Sequence, residues 1–401
     1  MHNRFLQLNT RLAALTIFRG LLTEPTIEKL SALLRLLGKE QQNQEQEVAV
    51  STYCDFVASL YNEGGNFSSY LLNLILNNEN FYLTTYSKNQ SAPPALEACL
   101  DAELSFFQEL SALSSEQVRS ALNYDGFLPS WETTSLNIPQ EYHRRLSNLS
   151  KTGYGIFAKH HMFLVENGKL KPVNYPDGQQ MDQLFGYERE QDRILRNTKA
   201  LLAKEGAANM LLYGDAGTGK SSTIKAVANF YAAEGLRLIE LKKNQLFQLP
   251  KLIETLSPNP LSFILFIDDL SFSEHDDNFS ALKAILEGSV SATGKNIALY
   301  ATSNRRHLIK ETADQRLGNE LHINDTLQET ASLAARFGLT ITFSQPKKEE
   351  YLMIVDRLAA EYGLTLPPDL LHEKAEAHAL RCNGRSPRAA KQFIQLQKMG
   401  L

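Results

Sequence analysis

Cysteine is scarce in this 401-residue chain, and its three cysteines lie far apart, at Cys54, Cys99 and Cys382. No Cys-x-x-Cys pair and no cysteine–histidine spacing typical of a zinc site occurs. The sequence therefore predicts neither a disulfide framework nor a structural metal site. We expect reduced, mostly buried thiols in a cytoplasmic protein.

Long apolar runs and a surplus of basic residues are also missing. No run approaches the roughly 20 residues of a membrane-spanning helix, so no membrane association is expected. The 41 Lys and Arg against 45 Asp and Glu give a formal net charge of −4. This balance argues against a generally basic nucleic-acid-binding surface and leaves a local basic face open.

The amino-terminal stretch has no acidic residue before Glu24, and arginines interrupt its apolar residues at helical spacing. A transit peptide has the same composition. However, Arg11 breaks the apolar core that a signal peptide needs, and no small-residue cleavage site follows. The pattern therefore favours an amphipathic helix docked on the protein.

The stretch Asn209–Thr223 (NMLLYGDAGTGKSST) carries the strongest signal. An apolar run ends at Gly214, a glycine-rich turn follows, and Lys220 opens a helical pattern, which is the P-loop (Walker A) spacing. Glycines let backbone N–H groups point at a phosphate, and the helix N-terminus adds its positive dipole end. The predicted nucleotide-binding residues here are Gly214, Asp215, Ala216, Gly217, Thr218, Gly219, Lys220, Ser221 and Ser222.

Two of these residues have specific predicted roles in a site for ATP and Mg²⁺. Lys220 is expected to neutralise the β- and γ-phosphate oxygens during catalysis, and the Ser221 hydroxyl to be a ligand of Mg²⁺.

The domain organisation follows from periodicity. Residues 1–152 have a helical pattern and predict a mainly α-helical domain, which either recruits a partner or only positions the ATP site. Residues 153–181 predict a β-hairpin around Asn167-Gly168 and then a linker. The neighbouring His160 and His161 would face opposite sides of a strand, so a structural role is favoured over metal binding.

Residues 182–344 alternate strands and helices, which predicts a doubly wound α/β core with a five-stranded parallel sheet. A helical lid is predicted over residues 345–401, and a helix over Phe279–Glu287. The predicted strands are Asn209–Tyr213, Leu236–Leu241, Leu261–Ile267, Ile297–Ala301 and Leu339–Phe343; the lid helices are Lys348–Tyr362, Pro368–Arg381 and Pro387–Met399.

Acids and amides follow two of the predicted strands. Asp268 and Asp269 end an apolar strand at the Walker B position, where Asp268 would meet the metal and Asp269 would orient or deprotonate the attacking water. The next strand runs into Asn304, which is expected to reach the γ-phosphate and the water. Thr302 is the alternative for that role.

The order of these motifs along the chain and the residues within them resemble those of the AAA+ ATPases. The matching segments are GDAGTGKS, FILFIDDL, ATSNRR, SLAARFGL (Ser332–Leu339) and GRSPRAAKQF (Gly384–Phe393). The closest resemblance is to a bacterial family of AAA+ ATP-binding proteins catalogued as a domain of unknown function, and it covers roughly residues 153–401.

The resemblance implies further site residues. Arg336 matches the arginine finger that AAA+ subunits insert into a neighbour's site, which implies a homo-oligomeric ring. Arg388 matches the lid arginine that contacts the nucleotide in the same subunit. Phe185, Gly186 and Tyr187 match the loop that packs on adenine.

Two departures from the family pattern bear on function. Many AAA+ motors have Asp-Glu where this chain has Asp268-Asp269, and the shorter acid, which would lie farther from the water, indicates slow turnover. Replication initiators of the same superfamily tolerate Asp-Asp, so hydrolysis is still compatible with this pair. Threading motors carry an aromatic-apolar-glycine pore loop after the second strand. The corresponding stretch here, Glu240–Pro250, contains Phe247 but no glycine, which argues against polypeptide threading. The resemblance thus implies an ATPase that remodels or loads a macromolecular partner, and two alternatives remain. One is a nucleotide-gated switch or adaptor with negligible turnover, and the other is a DNA- or replication-associated loader, with no basic stripe to support it.

Overall fold

The computed structural model describes residues 2–39, 43–89, 91–122, 124–270, 294–304, 336–382 and 384–401, together with Leu282 and Leu286. They divide into two compact units, Met1–Lys159 (unit 1) and His160–Leu401 (unit 2). Within the described ranges, no helix is both long enough and apolar enough to span a bilayer.

Unit 1 is helical in its described residues, as predicted. Its helices are α1 (His2–Ala13), α2 (Pro25–Leu37), α3 (Asn43–Asn62), α4 (Phe67–Asn77), α5 (Phe81–Asn89), α6 (Pro94–Ser111), α7 (Ser115–Ala121), α8 (Ile138–Ser147), α9 (Leu149–Thr152) and α10 (Ile156–Lys159). The amphipathic pattern of the amino terminus forms α1, which buries Phe5, Leu8 and Leu12 in the unit's core.

One buried carboxylate organises the connection between α1 and α2. Glu103 on α6 is 7% exposed and accepts hydrogen bonds from the backbone N–H groups of Thr16, Ile17 and Phe18, at 2.6, 3.0 and 3.0 Å. Buried backbone donors need partners, and a carboxylate with two oxygens can satisfy several at once. Glu103 therefore holds the segment after α1 through three consecutive backbone N–H groups.

The residues of unit 2 that the structure describes form one mixed seven-stranded sheet. Its strands are β1 (Met162–Glu166), β2 (Lys169–Pro172), β3 (Met210–Gly214), β4 (Leu236–Leu241), β5 (Ser262–Ile267), β6 (Ile297–Ser303) and β7 (Leu339–Phe343), in the order β2-β1-β4-β5-β6-β3-β7. All neighbours are parallel except β1 and β2. The predicted α/β class with its P-loop core is confirmed.

The sheet has two strands more than predicted. The hairpin assigned to the linker forms β1 and β2 and joins the sheet, because Met162 of β1 pairs in parallel with Leu238 of β4. Burial explains the difference: Met162, Phe163 and Val165 are all at most 6% exposed, and pairing with β4 places this apolar strand inside the unit.

The helices in the described part of unit 2 are α11 (Glu188–Leu202), α12 (Lys220–Phe230), α13 (Leu249–Leu256) and the lid helices α14 (Lys348–Tyr362), α15 (Pro368–Arg381) and α16 (Pro387–Lys398). The lid helices pack around a core of their own. A 3-10 turn, Lys243–Gln248, precedes α13, and Pro250 lies in the first turn of that helix. The predicted helix Phe279–Glu287 lies outside the described residues apart from Leu282 and Leu286.

The cysteines are free thiols, as predicted, although less buried than expected. Cys54 and Cys99 are half-buried, whereas Cys382 is exposed at the end of α15.

We expect Glu103→Ala to lower the free energy of unfolding of unit 1 by about 3 kcal/mol, because buried backbone donors lose their acceptor. Urea denaturation followed by the fluorescence of Trp131 measures this directly, since Trp131 is the chain's one tryptophan and is 5% exposed in unit 1.

The matched control is Glu109→Ala, on the same helix. Glu109 forms a surface ion pair with Arg11. Such a pair contributes about 1 kcal/mol or less, so this variant should stay close to wild type. Equal losses in the two variants would contradict the role assigned to Glu103.

Candidate functional site

The glycine-rich turn lies at the carboxyl end of β3, directly beside β7. Gly214 has φ +137°, and a Cβ there would lie 2.1 Å from the carbonyl oxygen of Phe343. The amide of Asp215 also donates to that carbonyl, at 3.0 Å. Only glycine permits this approach, which fixes where the turn leaves the sheet.

The turn then closes on the first residue of α12. The Lys220 ammonium is 5% exposed and donates to the carbonyl oxygens of Gly214 and Asp215, at 2.9 and 2.7 Å. Burial lowers the pKa of Lys220, while the nearby carboxylates of Asp215, Asp268 and Asp269 favour its charged form. The cation is therefore held inside the turn, where a phosphate chain would lie.

Three oxygen groups meet beyond the turn, at the carboxyl ends of β5 and β6. Asp268 Oδ1 accepts hydrogen bonds from Ser221 Oγ and Thr302 Oγ1, both at 2.5 Å. Carboxylate and hydroxyl oxygens are suitable Mg²⁺ ligands. The described residues contain no group of three or more His, Cys, Asp or Glu side chains that could hold a metal. Mg²⁺ at Ser221 and Asp268 would therefore need phosphate and water ligands as well, which is the usual arrangement for this ion.

The second acid is held by the neighbouring strand. The Asp269 N–H donates to Thr302 Oγ1 at 2.9 Å, and Asn304 Nδ2 donates to Asp269 Oδ1 at 3.0 Å. Asp269 has φ +52°, an uncommon conformation for a residue other than glycine. The predicted residues Asp268, Asp269 and Asn304 thus lie together, and Thr302, the alternative to Asn304, anchors both acids.

A cavity of about 310 Å³ lies between the turn, the segment before α11 and the lid. Its apolar wall includes Leu184, Phe185, Ile354 and Leu358. Small-molecule sites are typically concave and mostly apolar, with a few polar groups that orient the ligand. The predicted residues that line it are Phe185, Tyr187, Gly217, Thr218, Gly219, Ser222 and Arg388.

The loop before α11 is fixed by its contacts. Gly186, at φ +81°, lies against Ile354 of the lid, where a Cβ would be 3.0 Å from Cδ1. The Tyr187 ring packs on Phe343 at 5.0 Å between centroids, and its hydroxyl donates to the Ser344 carbonyl at 2.6 Å. This loop therefore joins β7 to the lid.

The lid contacts the turn through its last helix. The backbone N–H of Arg388, in the first turn of α16, donates to the carbonyl of Gly217 at 3.2 Å, and the side chain of Arg388 is exposed. Asp215 and Ala216 do not line the cavity. The Asp215 carboxylate accepts a hydrogen bond from the backbone N–H of Gln345 at 2.9 Å, and Ala216 is exposed.

Arg336 lies apart from this group. It precedes β7 by three residues, whereas the turn adjoins the other end of β7 at Phe343. The strand from Leu339 to Phe343 advances about 13 Å, at about 3.3 Å per residue. The structure therefore does not bring Arg336 together with the other predicted site residues. The adjoining segments Arg305–Arg306 and Ser332–Ala335 lie outside the described residues.

Sequence reasoning missed several residues of the cavity. They come from the segment before the loop (Asp177, Gln179, Gln183), from α11 (Gln191) and from the lid (Ile354, Leu358, Lys391). Residues of these types occur throughout the chain, and no spacing in the sequence distinguished these particular ones.

Comparison with known proteins gives a family and a set of similar folds. A family model described as "Protein of unknown function (DUF815)" matches residues 157–399. No curated protein matches the chain. The RuvB Holliday junction branch migration motor of Thermotoga maritima is similar with a TM-score of 0.35 and 16% identity, over 54% of this chain and 63% of that one. DnaA from Aquifex aeolicus with AMPPCP bound gives a TM-score of 0.41 and 16% identity, over 56% and 67%. The chain thus spans less than two thirds of the RuvB chain.

We expect Gly214→Ala to destabilise the sheet around the turn by about 2–4 kcal/mol, because the new Cβ would overlap the Phe343 carbonyl in a strained backbone conformation. Hydrogen exchange of the β3 and β7 amides measures this locally.

Gly219→Ala is the matched control. Gly219 has φ +94° but nothing within 4 Å of its Cβ position, so only about 1–2 kcal/mol of backbone strain is expected. If the β3 and β7 amides exchanged equally fast in both variants, the contact between Gly214 and Phe343 would not be the constraint we describe.

Proposed function

The chain belongs to the DUF815 family, and we propose that it is a magnesium-dependent ATPase of the AAA+ type that acts as a homo-oligomer. The observation that carries the proposal is the pair of hydroxyls, Ser221 and Thr302, on one carboxylate oxygen of Asp268. It brings a P-loop serine, a strand-end acid and the next strand's polar residue to one point.

In the proposed site, the phosphate chain lies in the turn Gly214–Gly219 at the N-terminus of α12. Lys220 releases its bonds to the turn carbonyls and pairs with the β- and γ-phosphate oxygens, a stronger, charge-assisted interaction. Ser221 and Asp268 would hold Mg²⁺, which would supply charge neutralisation on the phosphate oxygens. The base and ribose occupy the cavity against Phe185 and Tyr187, near Arg388.

Hydrolysis is assigned to Asp269 and Asn304. The carboxylate of Asp269 accepts the proton of the attacking water or orients it, and Asn304, already bonded to Asp269 Oδ1, holds that carboxylate in place. Arg336 of one subunit neutralises transition-state charge in the site of the next.

The proposed outcome of the cycle is remodelling or loading of a macromolecular partner, recruited by the helical residues 1–152. Support for a separate recruiting region comes from unit 1, which has its own hydrophobic core. The three free thiols suit a cytoplasmic location.

A nucleotide-gated switch with negligible turnover is the second candidate, and one contact favours it. Asn304 Nδ2 donates to Asp269 Oδ1 at 3.0 Å, so one oxygen of the carboxylate that would orient the attacking water is already occupied. Steady-state phosphate release, with and without cell extract, separates the two functions, because only the ATPase turns over repeatedly.

We expect Lys220→Ala to weaken ATP binding about 10- to 100-fold, because the variant loses a charge-assisted contact with the phosphates. Titration with a fluorescent ATP analogue in the presence of Mg²⁺ measures it. Lys225→Ala is the control, since Lys225 is on the same helix and pairs with Glu240 at 3.6 Å. Wild-type affinity in the Lys220 variant would contradict the site.

We expect Arg336→Ala to reduce the rate of phosphate release about 10³- to 10⁵-fold while ATP affinity is retained, because the arginine acts only on transition-state charge. Mixing this variant with Lys220→Ala should restore part of the activity, since a Lys220→Ala subunit still offers Arg336 to an intact neighbouring site. An Arg336→Ala protein with the wild-type rate would argue against a shared site.

A further inference from the structure

One amide of the P-loop helix is bonded to the wall of the cavity. Asn229, in the last turn of α12, donates from Nδ2 to the carbonyl oxygens of Asp177 and Gln179, both at 2.8 Å. Asp177 and Gln179 line the cavity beside the glycine-rich turn. A single side chain therefore connects the helix that begins at the phosphate site with a segment on another side of the pocket.

The orientation of this amide is determined by its partners. Because both carbonyls are acceptors, the NH₂ group must face them, and Oδ1 faces His161 Nε2 at 2.9 Å. An amide oxygen only accepts, so His161 must carry its proton on Nε2. The imidazole thus holds Asn229 in the rotamer that serves the two carbonyls.

His161 is itself fixed to the sheet. Its carbonyl accepts from the backbone N–H of Leu238 on β4, at 2.8 Å. The contacts therefore run from β4 through His161 and Asn229 to the cavity wall. Other hydrogen bonds of residues 177–180 join near neighbours in sequence, such as Gln179 N–H to Asp177 Oδ1 at 3.2 Å and Gln180 N–H to Gln183 Oε1 at 3.1 Å. They shape the segment without attaching it to α12.

We infer that Asn229, oriented by His161, is a positioning residue for nucleotide binding, which holds segment 177–180 in place as a wall for the base and ribose. The inference rests on the proposed function, because it assigns the cavity to the nucleoside part of the ligand. Neither residue lies in the glycine-rich turn, so the phosphate contacts do not depend on them.

The experiment compares two ligands on the full-length protein with Mg²⁺ present, both measured by titration calorimetry. ADP has a base and a ribose, whereas pyrophosphate has neither. Asn229→Leu removes both donors at similar size and should raise the Kd of ADP about tenfold, while the Kd of pyrophosphate stays at the wild-type value. Asn229→Asp should behave in the same way, since a carboxylate cannot donate to the carbonyls.

The orienting role of His161 has its own pair of variants. His161→Leu removes the donor to Asn229 and should raise the Kd of ADP about threefold. His161→Gln places an amide N–H near the position of Nε2 and should restore most of the affinity. If the Leu and Gln variants bind ADP equally, the imidazole does not orient the amide.

Asn197→Leu is the matched control for the loss of a half-buried amide. Asn197 on α11 bonds to both backbone groups of Ala208, at 2.9 and 3.0 Å, near the amino end of β3 and away from the cavity. It should leave the Kd of both ligands unchanged.

The outcomes separate this inference from the proposed function. If wild-type protein binds neither ADP nor pyrophosphate, the proposed function is wrong. If wild type binds both and Asn229→Leu matches it for ADP, or weakens both ligands equally, then Asn229 does not position the nucleoside wall and the inference is overturned.

Discussion

The close approach of Gly214 to β7 is the constraint on which the rest of unit 2 depends. It leads the chain out of the sheet beside Phe343, so that the turn closes on Lys220 and α12 begins next to the ends of β5 and β6. Ser221 then meets Asp268, and Thr302 holds Asp268 from the other side. Four strands contribute to one location because their parallel carboxyl ends share an edge.

Much of this arrangement could be predicted because each part has a local signal. Glycine spacing, an apolar run that ends in acids, and strand–helix alternation are visible in short windows, and the five core strands lie within two residues of their predicted bounds. The match to DUF815 over residues 157–399 confirms the resemblance found in the motifs. The roles of the individual site residues remain predictions.

What sequence could not provide was long-range pairing. Met162 and Leu238 are far apart in the chain, so nothing local showed that the hairpin joins β4. The same limit applies to the choice between Asn304 and Thr302, since both lie at the end of one strand and only the fold shows that Thr302 contacts both acids. His161 was expected to have a structural role, and the structure shows its contact: the ring bonds to the side-chain amide of Asn229.

The contact between the lid and the glycine-rich turn is made by main-chain atoms, from Arg388 N–H to the Gly217 carbonyl. Any amino acid except proline at position 388 can make it. The mechanical attachment of the lid is therefore separable from the charge that the arginine carries. A neutral residue at this position would remove the charge beside the cavity while the hydrogen bond to Gly217 stayed in place, so the charge at the cavity and the attachment of the lid can vary independently at a single position.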